Sequence, residues 1–124
     1  MAAYLHPDIH DKGLIELRDT ADRVVAASGA PADYAAIAAA TLAEAAVAPA
    51  DFTIGAGDVS GRKIACAGKT GNALADGTVA SLCLVDDDQG GRLLLRVDDT
   101  TTGAVTLGAP VAMGEISYES RDPG

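Results

Sequence analysis

The chain has 124 residues, with 9 Lys+Arg against 18 Asp+Glu, a formal charge of −9 and a pI near 4.3. That length supports one core, so residues 1–124 read as a single domain. The acid excess excludes nucleic acid as a partner unless a basic patch forms locally, a hydrophobic content of 48 % excludes wholesale disorder, and no apolar run reaches the ~18 residues that would span or anchor in a membrane.

Residues 1–8 carry neither the basic nor the apolar stretch of a signal peptide and read as an N-terminal arm. A helix follows over 9–20. Asp8 is placed to cap it, Asp11 takes the capping-box position, and Leu14, Leu17 and Ala21 recur at helical spacing. Gly13 weakens its first turn. Asp22 to Ser28 is rich in Val and Ala and closes at Gly29-Ala30-Pro31, the pattern of a short strand, with continuation of the helix through Val25 as the rival reading.

Residues 32–48 carry two opposed signals. Their alanines favour a helix by propensity, with Pro31 suited to a first turn and Pro49 to a stop. The same small side chains also fit a strand crowded between other elements.

Beyond residue 50 the chain becomes short strands between turn clusters. Phe52-Thr53-Ile54 leads into a loop over 55–61. Arg62 to Ala67 is a strand with Ile64 and Cys66 on one face, and Gly68 to Asn72 is a turn cluster. Val79 to Val85 has no charge and reads as a strand buried on both faces. Residues 86–91 form a hairpin loop. In the return strand, 92–97, Leu93, Leu95 and Val97 face one way and Arg92, Leu94 and Arg96 the other. Asp98 to Gly103 is a further turn, followed by strands over 104–107 and from Val111 to about Tyr118. Residues 119–124 form a polar tail. The fold class is therefore mainly β: an antiparallel β-sandwich or barrel of about six to seven short strands over 22–118, with an N-terminal α-helix.

No group of residues assembles into catalytic or cofactor chemistry. Gly68-Lys69-Thr70 resembles the end of a phosphate loop, but the Gly required five residues earlier is Lys63, and no helix follows. Asp86-Asp87-Asp88 suggests calcium, yet an EF-hand loop starting there puts Gly90 at the fifth position and Val97 at the twelfth, where the bidentate Glu belongs. His6 and His10 lack a third ligand. Ser60 comes nearest to a nucleophile elbow, but Asp58 stands where Gly is needed. Cys66 and Cys83 lie in apolar stretches and read as reduced, buried thiols. The expectation is a protein that is not an enzyme, with no cofactor and no metal. Residues 86–102 hold five Asp against two Arg, a local charge of −3, while Arg62-Lys63 forms a basic spot suited to an acidic partner surface.

The order of segments resembles a loose family of small structural proteins of tailed bacteriophages, over roughly residues 17–120. The resemblance runs through Leu17-Arg18-Asp19-Thr20-Ala21-Asp22-Arg23, Gly29-Ala30-Pro31-Ala32-Asp33-Tyr34 and Gly57-Asp58-Val59-Ser60-Gly61-Arg62-Lys63. It continues through Gly77-Thr78-Val79-Ala80, Leu84-Val85-Asp86, Arg92-Leu93-Leu94 and Asp122-Pro123. It implies a helical turn over 32–38 followed by a strand near 40–47. It also implies an assembly component without catalysis or cofactor, located in the virion. From it follows the expectation of a head decoration (cement) protein that binds the major capsid protein or other virion proteins and self-associates, as a trimer for example. Residues 1–10 and 115–124 would be contact arms, and the candidate contacts are Tyr4, Leu5, Arg62, Lys63, Tyr118 and Arg121. A neck, tail or fibre component is the alternative within that class. A free ligand-binding β-sandwich is the alternative outside it, weakened by the absence of Trp.

Overall fold

A computed structural model describes residues 3–5, 14–56, 62–88 and 90–120. In chain order the elements are β1 (Ala3–Leu5), α1 (Leu14–Thr20), β2 (Arg23–Ala27), α2 (Tyr34–Ala40), β3 (Thr41–Ala46), β4 (Phe52–Ala56), β5 (Arg62–Cys66), β6 (Lys69–Asn72), β7 (Gly77–Asp86), β8 (Arg92–Val105), β9 (Pro110–Met113) and β10 (Ile116–Ser120). A 3-10 turn at Pro49–Asp51 precedes β4. Every strand pairing is antiparallel. One sheet has five strands in the order β1-β8-β7-β2-β3, a second has the order β10-β5-β4, and β6-β9 form a two-stranded ribbon. The fold is the small antiparallel sandwich with an N-terminal helix that the sequence predicts. Its ten strands among the described residues exceed the six or seven expected, because β1 and β6 are additional and the last strand divides in two.

The Ala-rich stretch divides at residue 40. Asp33 caps α2, its Oδ1 accepting from the Ala36 amide at 3.1 Å, and Ile37 is buried beneath the helix. At Thr41 the backbone turns extended and β3 begins, pairing with β2. Helix propensity continues past residue 40, but the edge of β2 offers a full ladder of backbone partners, and tertiary pairing prevails. Alanine is needed here for its size. Ala43 bridges to Ala73 with both side chains buried, and β6 lies so close that a Cβ on Gly71 would overlap the Glu44 carbonyl.

The five-stranded sheet is buried on both faces. On one side Val24, Ala26, Leu82 and Leu84 join Leu14 and Leu17 of α1, Phe52, Ile64 and Cys66 of the second sheet, and Met113 and Ile116. On the other, Val25, Ala27, Cys83, Val85 and Leu93 pack under Ile37 of α2. Double coverage explains the charge-free run predicted over 79–85, which is buried throughout from Ser81.

Four expectations need correction. Residues 69–72 are a strand, β6, because their backbone pairs with β9 from Lys69↔Met113 to Asn72↔Pro110. Residues 98–103 do not end a strand: β8 continues through them to Val105, and the surplus chain is absorbed where Val79 pairs with Gly103 and Ser81 with Asp98. Leu107 consequently leaves the sheet for a turn closed by the Ala109 amide on Thr106 O at 2.9 Å. The strand predicted from Val111 to Tyr118 breaks at Gly114-Glu115, so β9 serves the ribbon and β10 the second sheet. Finally, strict alternation over 92–97 fails. Leu84 pairs with Leu95 and Val85 with Leu93, leaving Leu94 as a bulge. Leu93 therefore faces α2, whereas Leu94, Leu95 and Val97 face the main core.

The predicted helix over 9–20 is described from Leu14, and its residues 9–13, with the proposed caps Asp8 and Asp11, lie outside the described residues.

Candidate functional site

The densest set of polar side chains lies where β7 turns into β8. β7 ends on Asp86, and only Asp87, Asp88, residue 89, Gly90 and Gly91 separate it from Arg92. The two glycines sit at φ +77° and +82°, a left-handed backbone that other residues adopt at a cost. Asp86 is 1 % exposed although ionisable. Its partner is Arg92, which donates from Nη2 at 2.7 Å and Nε at 3.1 Å to Oδ2. The other oxygen, Oδ1, accepts the Asp88 amide at 2.8 Å. Arg92 also reaches Glu16 of α1 at 3.2 Å. The ion pair thus ties the hairpin to the N-terminal helix.

A second set lies beside it, on the face carrying α2. Arg23 holds Asp87 with two parallel bonds, Nε–Oδ2 at 3.0 Å and Nη2–Oδ1 at 3.2 Å, and reaches Glu44 of β3 with Nη1. Tyr34 donates its hydroxyl to Asp87 at 2.8 Å, and its ring lies where a Cβ on Gly91 would stand. Burial works to raise the Asp87 carboxyl, but the bonds from Arg23 and Tyr34 outweigh it and hold its pKa below the usual carboxylate value. Burial likewise opposes the charge on Arg23, and its two carboxylates outweigh that effect. Asp22 departs in the other direction. Burial raises it, the Asp87 amide on its Oδ2 at 2.7 Å opposes, and the nearby Asp88 and Asp86 charges add to the rise.

Asp22, Asp86 and Asp88 bring carboxylate oxygens within 4.8 Å of one another, the arrangement a hard cation would use. Part of this set is already engaged in building the turn: both oxygens of Asp86, by Arg92 and the Asp88 amide, and Oδ2 of Asp22, by the Asp87 amide. A cleft of about 410 Å³ opens between α2 and the hairpin, lined by Tyr34, Gly91, Arg92 and Leu93. Its one cation, Arg92, is held by Asp86 and Glu16. The two guanidiniums of this end are thus engaged by its own carboxylates, Arg23 by Asp87 and Glu44 and Arg92 by Asp86 and Glu16.

The sequence-predicted contacts fall in different places. Tyr4 and Leu5 belong to β1, the edge of the five-stranded sheet, opposite Arg96 and Leu95. Arg62 and Lys63 lie in β5, the middle strand of the second sheet, opposite Ser120 and Glu119 of β10 and Ala56 and Gly55 of β4. Tyr118 pairs with Ile64 and packs partly buried against the core. The second sheet therefore gathers Arg62, Lys63 and Tyr118, while Tyr4 and Leu5 stand apart on the first. Arg121 lies outside the described residues, as do His6, His10 and Ser60. Because β5 is central, the basic spot lies at no open edge. Cys66 and Cys83 face different cores, on opposite sides of the five-stranded sheet. Burial pushes both thiols up to about 11.

Two exposed features were not anticipated. Leu74 and Leu107, 55 % and 63 % exposed, sit on adjoining turns at the end of β7 away from the acidic hairpin. Those turns are joined by Leu107 N–H to Asp76 Oδ1 at 2.7 Å and by Gly108 N–H to Ala73 O at 2.8 Å. The second feature is β4, an edge strand without a charged residue. The turn residues Asp76 and Gly108 signal the first in sequence, whereas the second depends on strand order.

The site and fold define a small antiparallel sandwich whose ionic groups hold its own loops. Comparison with family models, with curated proteins and with solved structures finds no match.

Proposed function

We propose that this protein is a non-enzymatic structural component of a tailed-phage particle, a head decoration protein that sits on the capsid lattice. The observation that carries the reading is the division of labour on the surface. Arg23, Arg92 and Lys69 are bound to carboxylates of their own chain, at Asp87, Asp86 and Asp51, while an uncharged strand edge and a pair of exposed leucines face outward. Such a surface offers backbone and apolar contacts to other chains rather than converging groups to a substrate. The order of segments that resembles phage structural proteins supplies the class of particle. Partners are the major capsid protein or other virion proteins, and repeated copies multiply a weak contact.

The test is association with emptied capsids of the phage that encodes the chain. Binding that raises the capsid melting temperature, in hundreds of copies per particle, supports the reading. A handful of copies found only with tails assigns the protein to the neck, tail or fibre instead. A soluble protein without particle association, stabilised by a small ligand, overturns both.

A further inference from the structure

We infer that the outer edge of β4 is a self-association edge, pairing antiparallel with β4 of a second copy to form a continuous six-stranded sheet. The other edges of the five-stranded and second sheets are each blunted, and β9, the outer edge of the ribbon, begins at Pro110. β1 has only three residues. β3 is covered by β6 through the Ala43–Ala73 bridge and the Leu74 amide on Leu42 O at 2.7 Å. β10 carries Glu119. Short length, cover and charge are the ordinary protections of sheet edges.

β4 has none of them. Its five residues, Phe52-Thr53-Ile54-Gly55-Ala56, include no charge and no Pro, and its register with β5 is unbroken from Phe52↔Cys66 to Ala56↔Arg62. Among the described residues β5 is its only ladder partner, and the Phe52 amide bonds Pro49 O. A Cβ on Gly55 would meet no atom within 4 Å.

Three features favour a second copy as the occupant. An antiparallel strand pair about a two-fold axis is self-complementary, each edge supplying the donors and acceptors the other lacks. The chain carries −9, so a like-charged copy approaches best where the edge itself is neutral. The inner row of the sheet also stops short. Phe52 is buried, but Ile54, packed at the rim of the core, remains partly exposed. A paired β4 continues the row and covers it. A joint of five residues per copy lies below the ~1,000 Å² of a stable interface, so the dimer is weak and concentration-dependent. Pairing uses both β4 edges and closes at two copies, unlike the trimer expected from the sequence.

The experiment is sedimentation velocity of the full chain from micromolar to millimolar concentration, with amide hydrogen exchange at both ends of that range. The expected result is a dimer that grows with concentration and slows exchange in residues 52–56. Thr53→Lys and Gly55→Lys place charge on the outer face of β4 and lower the association constant tenfold or more. Ala112→Lys, at an exposed position of β9, leaves it unchanged. Circular dichroism confirms that each variant is folded, and if one Lys variant does not fold the other decides. A monomer at millimolar concentration overturns the inference. So does a dimer that survives the folded Lys variant, or one whose β4 amides exchange at the monomer rate, as they would if the leucine turns made the contact. The inference stands apart from the particle reading: a free dimer without capsid association defeats that reading and leaves this one intact.

Discussion

Replacing Arg92 with Met should be among the most damaging single changes in the chain. The substitution keeps most of the side chain's volume and removes the guanidinium. Asp86, 1 % exposed, then retains the Asp88 amide but loses both bonds from Arg92. Leaving one member of a buried ion pair without its partner costs about 3–5 kcal/mol. Unfolding entropy near 2.1 cal/mol/K per residue gives about 0.26 kcal/mol/K for this length, so the melting temperature should fall by roughly 12–20 °C. Asp86→Asn should cost less, since Arg92 keeps Glu16 as a partner. The double variant should cost less than the two singles added, with a coupling of about 1–3 kcal/mol. Thermal and urea unfolding of the four proteins measures all of this. A loss below about 1 kcal/mol for Arg92→Met, the level of a surface pair, would refute the reasoning, as would a cycle additive within about 0.5 kcal/mol.

Gly91→Ala should destabilise by about 3 kcal/mol, because it combines a left-handed φ with overlap on the Tyr34 ring; Gly90→Ala, with the same φ problem but open space, should cost nearer 1–2 kcal/mol in the same melts. Neither thiol should react with a disulfide reagent at pH 8 in the native state, since burial holds both at about 11; labelling should follow the rate of unfolding. Asp51 and Asp87 are both depressed, Asp51 first by the bond from Lys69 and Asp87 by Arg23 and Tyr34 against burial. Their native contribution is complete above the unfolded value near 3.9 and is lost as pH falls through their lower folded values, so acid unfolding should begin below about pH 4 and NMR titration should place both carboxyls below the ordinary value. Asp22 has the opposite sign: its folded pKa is raised, so its ionisation above that value opposes folding, and Asp22→Asn, which keeps an acceptor for the Asp87 amide, should raise the melting temperature at pH 7 and lose that advantage near pH 3.

Local pattern was enough for much of this architecture. The Val-rich stretch gives β2, the alternation of Ile64 and Cys66 gives the inner face of β5, and the uncharged run gives a β7 covered on both sides. What sequence could not supply depends on partners far along the chain. β6 looks like a turn because Lys69-Thr70-Gly71-Asn72 has turn composition; its strand geometry comes from β9, forty residues later. Leu94 alternates correctly in sequence, and only the register of β7 makes it a bulge. The site shows the same limit. Asp86, Asp87 and Asp88 read as a solvated acidic loop; Asp87 and Asp88 are exposed as that reading has it, whereas Asp86 is buried against Arg92, and Asp87 is held by Arg23 and Tyr34 from far along the chain. The basic spot at Arg62-Lys63 was visible as charge, but nothing local reveals that β5 lies between two strands.

The pairing of β5 with β10 and of β6 with β9 bears on how the molecule comes to be folded. These partners lie 38 to 58 residues apart in the chain, and β2 waits for β7 across 54 to 62 residues. Pairings at such separations close large loops before they gain contacts, and they place folding on the millisecond-to-second scale. The five-stranded sheet has all its strands by Val105, but the ribbon and the second sheet need β9 and β10, and Met113 and Ile116 of those strands complete the core between the layers. During synthesis on the ribosome, the sandwich therefore stays open until its last strands emerge.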